Sequence, residues 1–222
     1  MSAGTMNHGV IDDGDFKSYQ AFRERMVELE QILEARDALA VVEYVNQYTA
    51  TTDYRESLKN LPQQQLVESI AEYGRSHPGH SPKYHALNEG TVVLLSAYLE
   101  GFIEELHAEV MRQLLNEKIE SGGVLEAFLG YAHRRFSNPT PDRIKVLFST
   151  CGIKNIVSKL RTDKRKIVEF VELRNAIAHG EHVKVAGRAL QGWIELISRF
   201  AEELSLMVER EITAMKSGSN RK

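Results

Sequence analysis

Residues 83–119, KYHALNEGTVVLLSAYLEGFIEELHAEVMRQLLNEKI, carry one uninterrupted helical pattern. Val92, Leu95, Leu99, Phe102, Leu106, Val110 and Leu114 recur at spacings of three and four, which puts them on one stripe of a helix with a 3.6-residue turn. A stripe of this length must be covered by other elements. The same periodicity recurs upstream, where Phe16, Tyr19, Phe22 and Met26, then Leu29, Ile32 and Leu33, predict a helix from Asp15 to about Tyr48. It recurs downstream, where Leu190, Trp193, Ile194, Ile197, Phe200, Leu204 and Val208 predict a last long helix over about Arg188–Met215.

Between these long elements the chain is punctuated. Pro62 opens an expected helix over Leu61–Tyr73, after a weaker pattern from Thr49 to Lys59. A loop follows through His77-Pro78-Gly79. Gly122-Gly123 is read as the end of the 83–119 helix. A shorter helix is expected over Val124–Arg135, then a break at Ser137-Asn138-Pro139-Thr140-Pro141, then helices from Pro141 to Ser149, Ile153 to Leu160 and Thr162 to His179. No segment alternates with period two over six residues, and no repeat has a solenoid period. The expected fold is all-α, a bundle of long amphipathic helices. The expected organisation is a disordered stretch over 1–14, one helical domain over 15–216 and a disordered tail over 217–222.

The composition excludes several classes. The chain has 222 residues, 42% apolar and 27% charged, within the range of a globular protein with a core. A single cysteine, Cys151, excludes a disulfide framework and multi-cysteine metal sites. It reads as a small buried residue in a reducing compartment. There is no apolar run long enough for a membrane span, and the first residues lack the basic and apolar regions of a secretory signal. A cytoplasmic protein without membrane contact is expected.

Charge is unevenly distributed. Residues 1–129 hold ten Lys and Arg against 21 Asp and Glu, whereas residues 130–166 hold ten against two, Asp142 and Asp163. Such a basic stretch in an acidic chain is either a footprint for a polyanion or a cationic surface that meets the acidic first half. Arg161, Lys164, Arg165 and Lys166 form its densest part. They are candidate contacts to the phosphates of a polyanion, or otherwise a solvated helix start. His77, His80 and His85 lie near one another but lack cysteines and the i, i+4 spacing that holds zinc on a helix, so no metal site and no cofactor is expected.

The chemistry concentrates in Phe170-Val171-Glu172-Leu173-Arg174-Asn175-Ala176-Ile177-Ala178-His179-Gly180. Leu173 and Ile177 are read as pinning one face to the core, with Arg174, Asn175 and His179 off that face and Glu172 toward solvent. Asn175 and His179 are four apart and neighbours. Arg174 and His179 are five apart, roughly 140° around the helix. They converge on one ligand only through the length of Arg, fraying at Gly180, or a second copy of the helix.

Arg-Asn-x-x-x-His with apolar flanks, ahead of a final long helix in an all-α chain, resembles the HEPN superfamily signature. With the upstream helix Leu94–Glu104 it is most similar to the RiboL-PSP and MAE-28990 HEPN groups, over about residues 80–215. The resemblance implies a metal-independent endoribonuclease, a toxin or abortive-infection effector, working as a homodimer with two motifs in one cleft. It implies RNA as substrate and a cognate antitoxin or defence-system partner as regulator. It also leaves open a non-catalytic domain that dimerises and binds a protein or nucleotide. Arg174, His179 and Asn175 would be the catalytic set. Glu100, with Ser96 and His107 along its side, would face the motif helix and pair with Arg174 or Asn175, unless it is a solvated carboxylate. Members controlled by tyrosine AMPylation carry Tyr two positions after the signature His, where this chain has Glu181.

Overall fold

The computed structural model describes residues 16–48, 85–115, 122–181 and 183–219. Six α-helices and one short 3-10 turn make up the described elements: α1 (Lys17–Tyr48), α2 (His85–Leu115), α3 (Gly122–Arg134), α4 (Pro141–Ser149), the 3-10 turn Ile156–Lys159, α5 (Lys164–Ala178) and α6 (Gly187–Ser219). No strand occurs among the described residues. The all-α reading holds. The expected segments over 1–14, 49–59 and 61–73 and the His77 loop lie outside the described residues.

Helix α2 is the hub, packing against α1, α3, α4, α5 and α6. Val92, Leu95, Leu99, Phe102, Leu106 and Val110 of its stripe are each 0% exposed. Full burial of such a side chain contributes roughly 1.5–3 kcal/mol, so the stripe fixes the rotation of α2 about its axis. Against it α1 lays Phe22, Met26, Leu29 and Leu33, with the Phe22 and Phe102 rings 5.0 Å apart. Leu190, Ile194, Ile197, Phe200, Leu204, Val208 and Ile212 of α6 complete the same core.

Polar contacts set the ends of these helices. The Glu109 carboxylate on α2 accepts from the backbone N–H groups of Lys17 and Ser18, both at 3.2 Å, and from the Ser18 hydroxyl at 2.9 Å. It thereby satisfies donors that the start of α1 leaves unpaired. Glu203 of α6 does the same ahead of α5, accepting from Arg161 N, Thr162 N and Thr162 Oγ1. Asp163 caps α5 itself, accepting from Arg165 N at 2.9 Å.

Three boundaries differ from the sequence reading. Gly122 and Gly123 form the first turn of α3, where N–H groups have no intrahelical partner and glycine is tolerated. The helix expected over 153–160 is only the 3-10 turn, because Asn155 takes a left-handed conformation at φ 59° that a helix cannot continue through. Ser217–Ser219, expected in a disordered tail, continue α6. Cys151 is buried, and burial pushes its thiol up to about 12, so it is an inert core residue.

Candidate active site

Helix α5 carries the signature, and its phase is set by Ile167, Phe170 and Val171, all buried. Leu173 and Ile177 only border the core. Arg174 follows Phe170 by four positions and Ile167 by seven, so it extends the buried face. Leu173 and Ile177 do pack against the core, as the sequence reading has it, but its placement of Arg174 off the apolar face is corrected. The Arg174 guanidinium is partly enclosed, and its Nε is buried without a hydrogen-bond partner.

Two carboxamides hold that guanidinium through a single nitrogen. Arg174 Nη1 donates to Asn138 Oδ1 and to Asn175 Oδ1, both at 3.0 Å. Asn175 therefore orients Arg174, its chain neighbour. Among the described residues its side chain makes no hydrogen bond to His179. Asn138 belongs to the connection between α3 and α4, and it is left-handed at φ 58°. Asparagine tolerates that conformation better than most residues.

His179 stands at the C-cap of α5. Gly180 follows at φ 81°. Its N–H reaches Ile177 O at 3.0 Å, and Glu181 N–H reaches Ala176 O at 3.0 Å. This paired-carbonyl closure is the Schellman turn that glycine permits. It fixes the backbone at His179 and leaves the side chain exposed, with no hydrogen-bond partner among the described residues. The turn thus presents the imidazole to solvent at the end of a helix whose preceding turn holds Arg174.

Glu100 is half-buried on α2. Burial raises its carboxyl above the ordinary range, while the charges of Arg174 and then Arg143 pull it back. It faces the motif helix without forming a salt bridge to Arg174. One turn further, burial first and then Glu100 and Glu105 raise the Glu104 carboxyl to about 7. Ser96 is buried and its hydroxyl has no partner, so it does not hydrogen-bond to the signature. His107 is fully buried and turns to His133 and Thr150 instead. A groove of about 810 Å³ between the start of α1, α2 and α3 includes Glu104 and His133 but none of Arg174, Asn175 and His179.

The basic residues sit at the opposite end of α5. Lys164 lies about 15 Å along the axis from Arg174, and Arg165 projects about 180° away from it around the helix. Lys166 pairs with Glu169 at 3.3 Å, both exposed, a contact of little energetic weight. Among the described residues, the side chains of Arg161, Lys164 and Arg165 have no acidic partner, and no ion pair joins the basic stretch to the acidic first half. His77 and His80 lie outside the described residues.

Sequence reasoning missed Ser137, Asn138 and Arg143. The Ser-Asn-Pro run was legible only as a break in helix. An asparagine inside such a break was the one available signal for a left-handed residue.

An α2-centred helical core, with a penultimate helix that ends in a half-buried Arg, an Asn and a C-cap His before the final long helix, defines a HEPN-type domain. More narrowly, the RiboL-PSP-HEPN family model matches residues 51–210, and the chain belongs to that family. The match begins earlier than the resemblance read from the sequence. No curated protein and no solved structure matches the chain. No helix among the described residues is long and apolar enough to cross a membrane.

Proposed function

We propose that the protein is a metal-independent endoribonuclease of HEPN type, acting as a homodimer in a toxin or defence role. The observation that carries this reading is the state of Arg174. Its guanidinium is oriented by two neutral carboxamides through Nη1, while Nε has no protein acceptor. Among the described residues no carboxylate pairs with that guanidinium, and with Nε buried it is Nη2 that is left to donate to a phosphate oxygen. His179 is exposed at the end of the same helix, and histidine is the side chain that most often carries proton transfer in catalysis.

In this reaction the ribose 2′-oxygen attacks the adjacent phosphorus and the bond from phosphorus to the 5′-oxygen breaks. One histidine takes the 2′-hydroxyl proton, a second protonates the departing 5′-oxygen, and Arg174 neutralises the charge that builds on the phosphate. The products are a 2′,3′-cyclic phosphate and a 5′-hydroxyl. Arg174 and His179 of one copy diverge around α5, which supports a two-fold dimer that brings both copies to one cleft.

The test is incubation of purified protein with bulk RNA in excess EDTA, with analysis of the ends formed. Cleavage to cyclic phosphate ends, abolished by His179→Ala and by Arg174→Ala at unchanged helical content, supports the reading. Wild-type activity in His179→Ala refutes it. A second reading, a non-catalytic module for a protein or nucleotide partner, is favoured by one feature: no side chain among the described residues orients the His179 imidazole. Absence of cleavage by a folded dimer would select it.

A further inference from the structure

We propose that Arg143 is a second phosphate-binding residue of this site, set beside Arg174 by the Ser137–Asn138 turn, so that the cleft engages two phosphates of one RNA strand. The inference rests on the ribonucleic-acid reading of the signature but concerns residues that the signature does not contain.

Two successive residues of one turn each hold one guanidinium. Arg143 Nη1, from the first turns of α4, donates to the Ser137 carbonyl and, at 2.7 Å, to the Ser137 hydroxyl. Arg174 Nη1, from α5, donates to Asn138 Oδ1 at 3.0 Å. The turn is itself well defined. Asn138 is left-handed, Thr140 N–H closes onto Asn138 O at 2.7 Å, and Pro139 is buried. Two arginines distant in sequence are thus set by a single short piece of backbone.

The chemistry of the acceptors is the second point. Elsewhere in the chain two arginines meet carboxylates, while Arg134 meets the Gly130 carbonyl. Arg25 pairs with Glu105 and Arg112 with Glu126. Arg143 and Arg174 instead meet a carbonyl, a hydroxyl and carboxamides, which orient a guanidinium without cancelling its charge. Each uses only Nη1 in these contacts. The Nε–Nη2 edge of the exposed Arg143 is left to a ligand, whereas Arg174 Nε is buried and leaves Nη2 alone for one. Glu100 lies near enough for both charges to draw its carboxyl down, yet it pairs with neither. Arg143 is exposed and open to a strand that passes over Arg174.

The experiment uses the full chain and a short single-stranded oligonucleotide that is 2′-O-methylated throughout, so that it binds but cannot be cleaved by 2′-oxygen attack. Affinity is measured over a range of salt concentrations. Each phosphate contact contributes about 0.7 to the log–log slope on a single strand. Arg143→Gln is expected to lower the slope by about 0.7, and the double variant with Arg174→Gln by about 1.4. Arg143→Lys is expected to keep the wild-type slope while binding more weakly, because it keeps the charge and loses the fork. On a cleavable strand, Arg143→Gln should raise KM with kcat near wild type. An unchanged slope in Arg143→Gln overturns the proposal, and so does equal slope loss in Arg143→Lys, which would place the residue in the fold alone. A wild type that binds the probe but cleaves no RNA defeats the ribonuclease reading, and the Arg143 slopes still decide this one. A wild type that does not bind the probe overturns both.

Discussion

Acidification should weaken this fold through His107. The ring is 0% exposed, and its hydrogen bonds fix its tautomer. Thr150 Oγ1 donates to Leu147 O at 2.7 Å, so it accepts from His107 Nε2–H at 2.8 Å. His107 Nδ1 is then bare and accepts from His133 Nε2–H at 3.1 Å. A proton on Nδ1 would set two N–H groups against each other in the core. Burial first, and His133 second, lower His107 to about 4, against about 6.5 for an unfolded histidine. Burial and then Arg112 also lower the neighbouring His133, against a raising effect of Glu126.

The folded value lies below the unfolded one, so between about pH 6.5 and about pH 4 the unfolded chain binds a proton that the folded chain does not. The His107 contribution is complete above pH 6.5 or so and is lost as pH falls through about 4. At about 1.4 kcal/mol per pH unit the loss is about 3 kcal/mol. His107→Gln keeps a donor and an acceptor in place of the ring and does not titrate. Urea unfolding followed by far-UV circular dichroism, across about pH 4 to 7.5, should give a wild-type stability that falls about 3 kcal/mol further than that of the variant. Carboxylate titrations are common to both proteins and cancel in the comparison. Parallel curves would refute the buried neutral histidine.

Gly180→Ala should cost about 1–2 kcal/mol, read as a shift of the urea midpoint, because the added methyl meets no atom within 4 Å and the penalty is purely that of a left-handed alanine. The same variant should lower RNA cleavage, since the turn fixes the backbone that presents His179. Replacing Lys164, Arg165 and Lys166 together by Gln should flatten the salt dependence of RNA binding by up to about 2 on the log–log slope, with the single-turnover rate at saturation nearly unchanged. An unaltered slope would remove that end of α5 from the RNA path. In mixtures that allow subunit exchange, inactive His179→Ala protomers should reduce activity in proportion to the remaining wild-type homodimers. Linear dilution at full exchange would rule out a shared cleft.

The recurrence of apolar residues at spacings of three and four determined the helical class and most helix positions. Val92 to Val110 and Leu190 to Val208 each repeat long enough that only one rotation buries the whole stripe, so local periodicity and tertiary packing agree. The signature itself was visible because Arg174, Asn175 and His179 lie on one helix, where sequence spacing is spatial spacing. What needed the tertiary structure was everything joined across elements. The sequence of α5 alone could not say whether Leu173 or Phe170 set the buried face, and that choice decides whether Arg174 is enclosed. Asn138 and Arg143 are 36 and 31 positions from Arg174. Their meeting depends on how α4 docks between α2 and α5, and on a left-handed turn whose only trace in the sequence is one asparagine before a proline. His107 and His133 are likewise separated by the connection between α2 and α3. Helical spacing is a local property of the chain and can be read from it, whereas a hydrogen bond between distant helices exists only once burial has fixed where both of them lie.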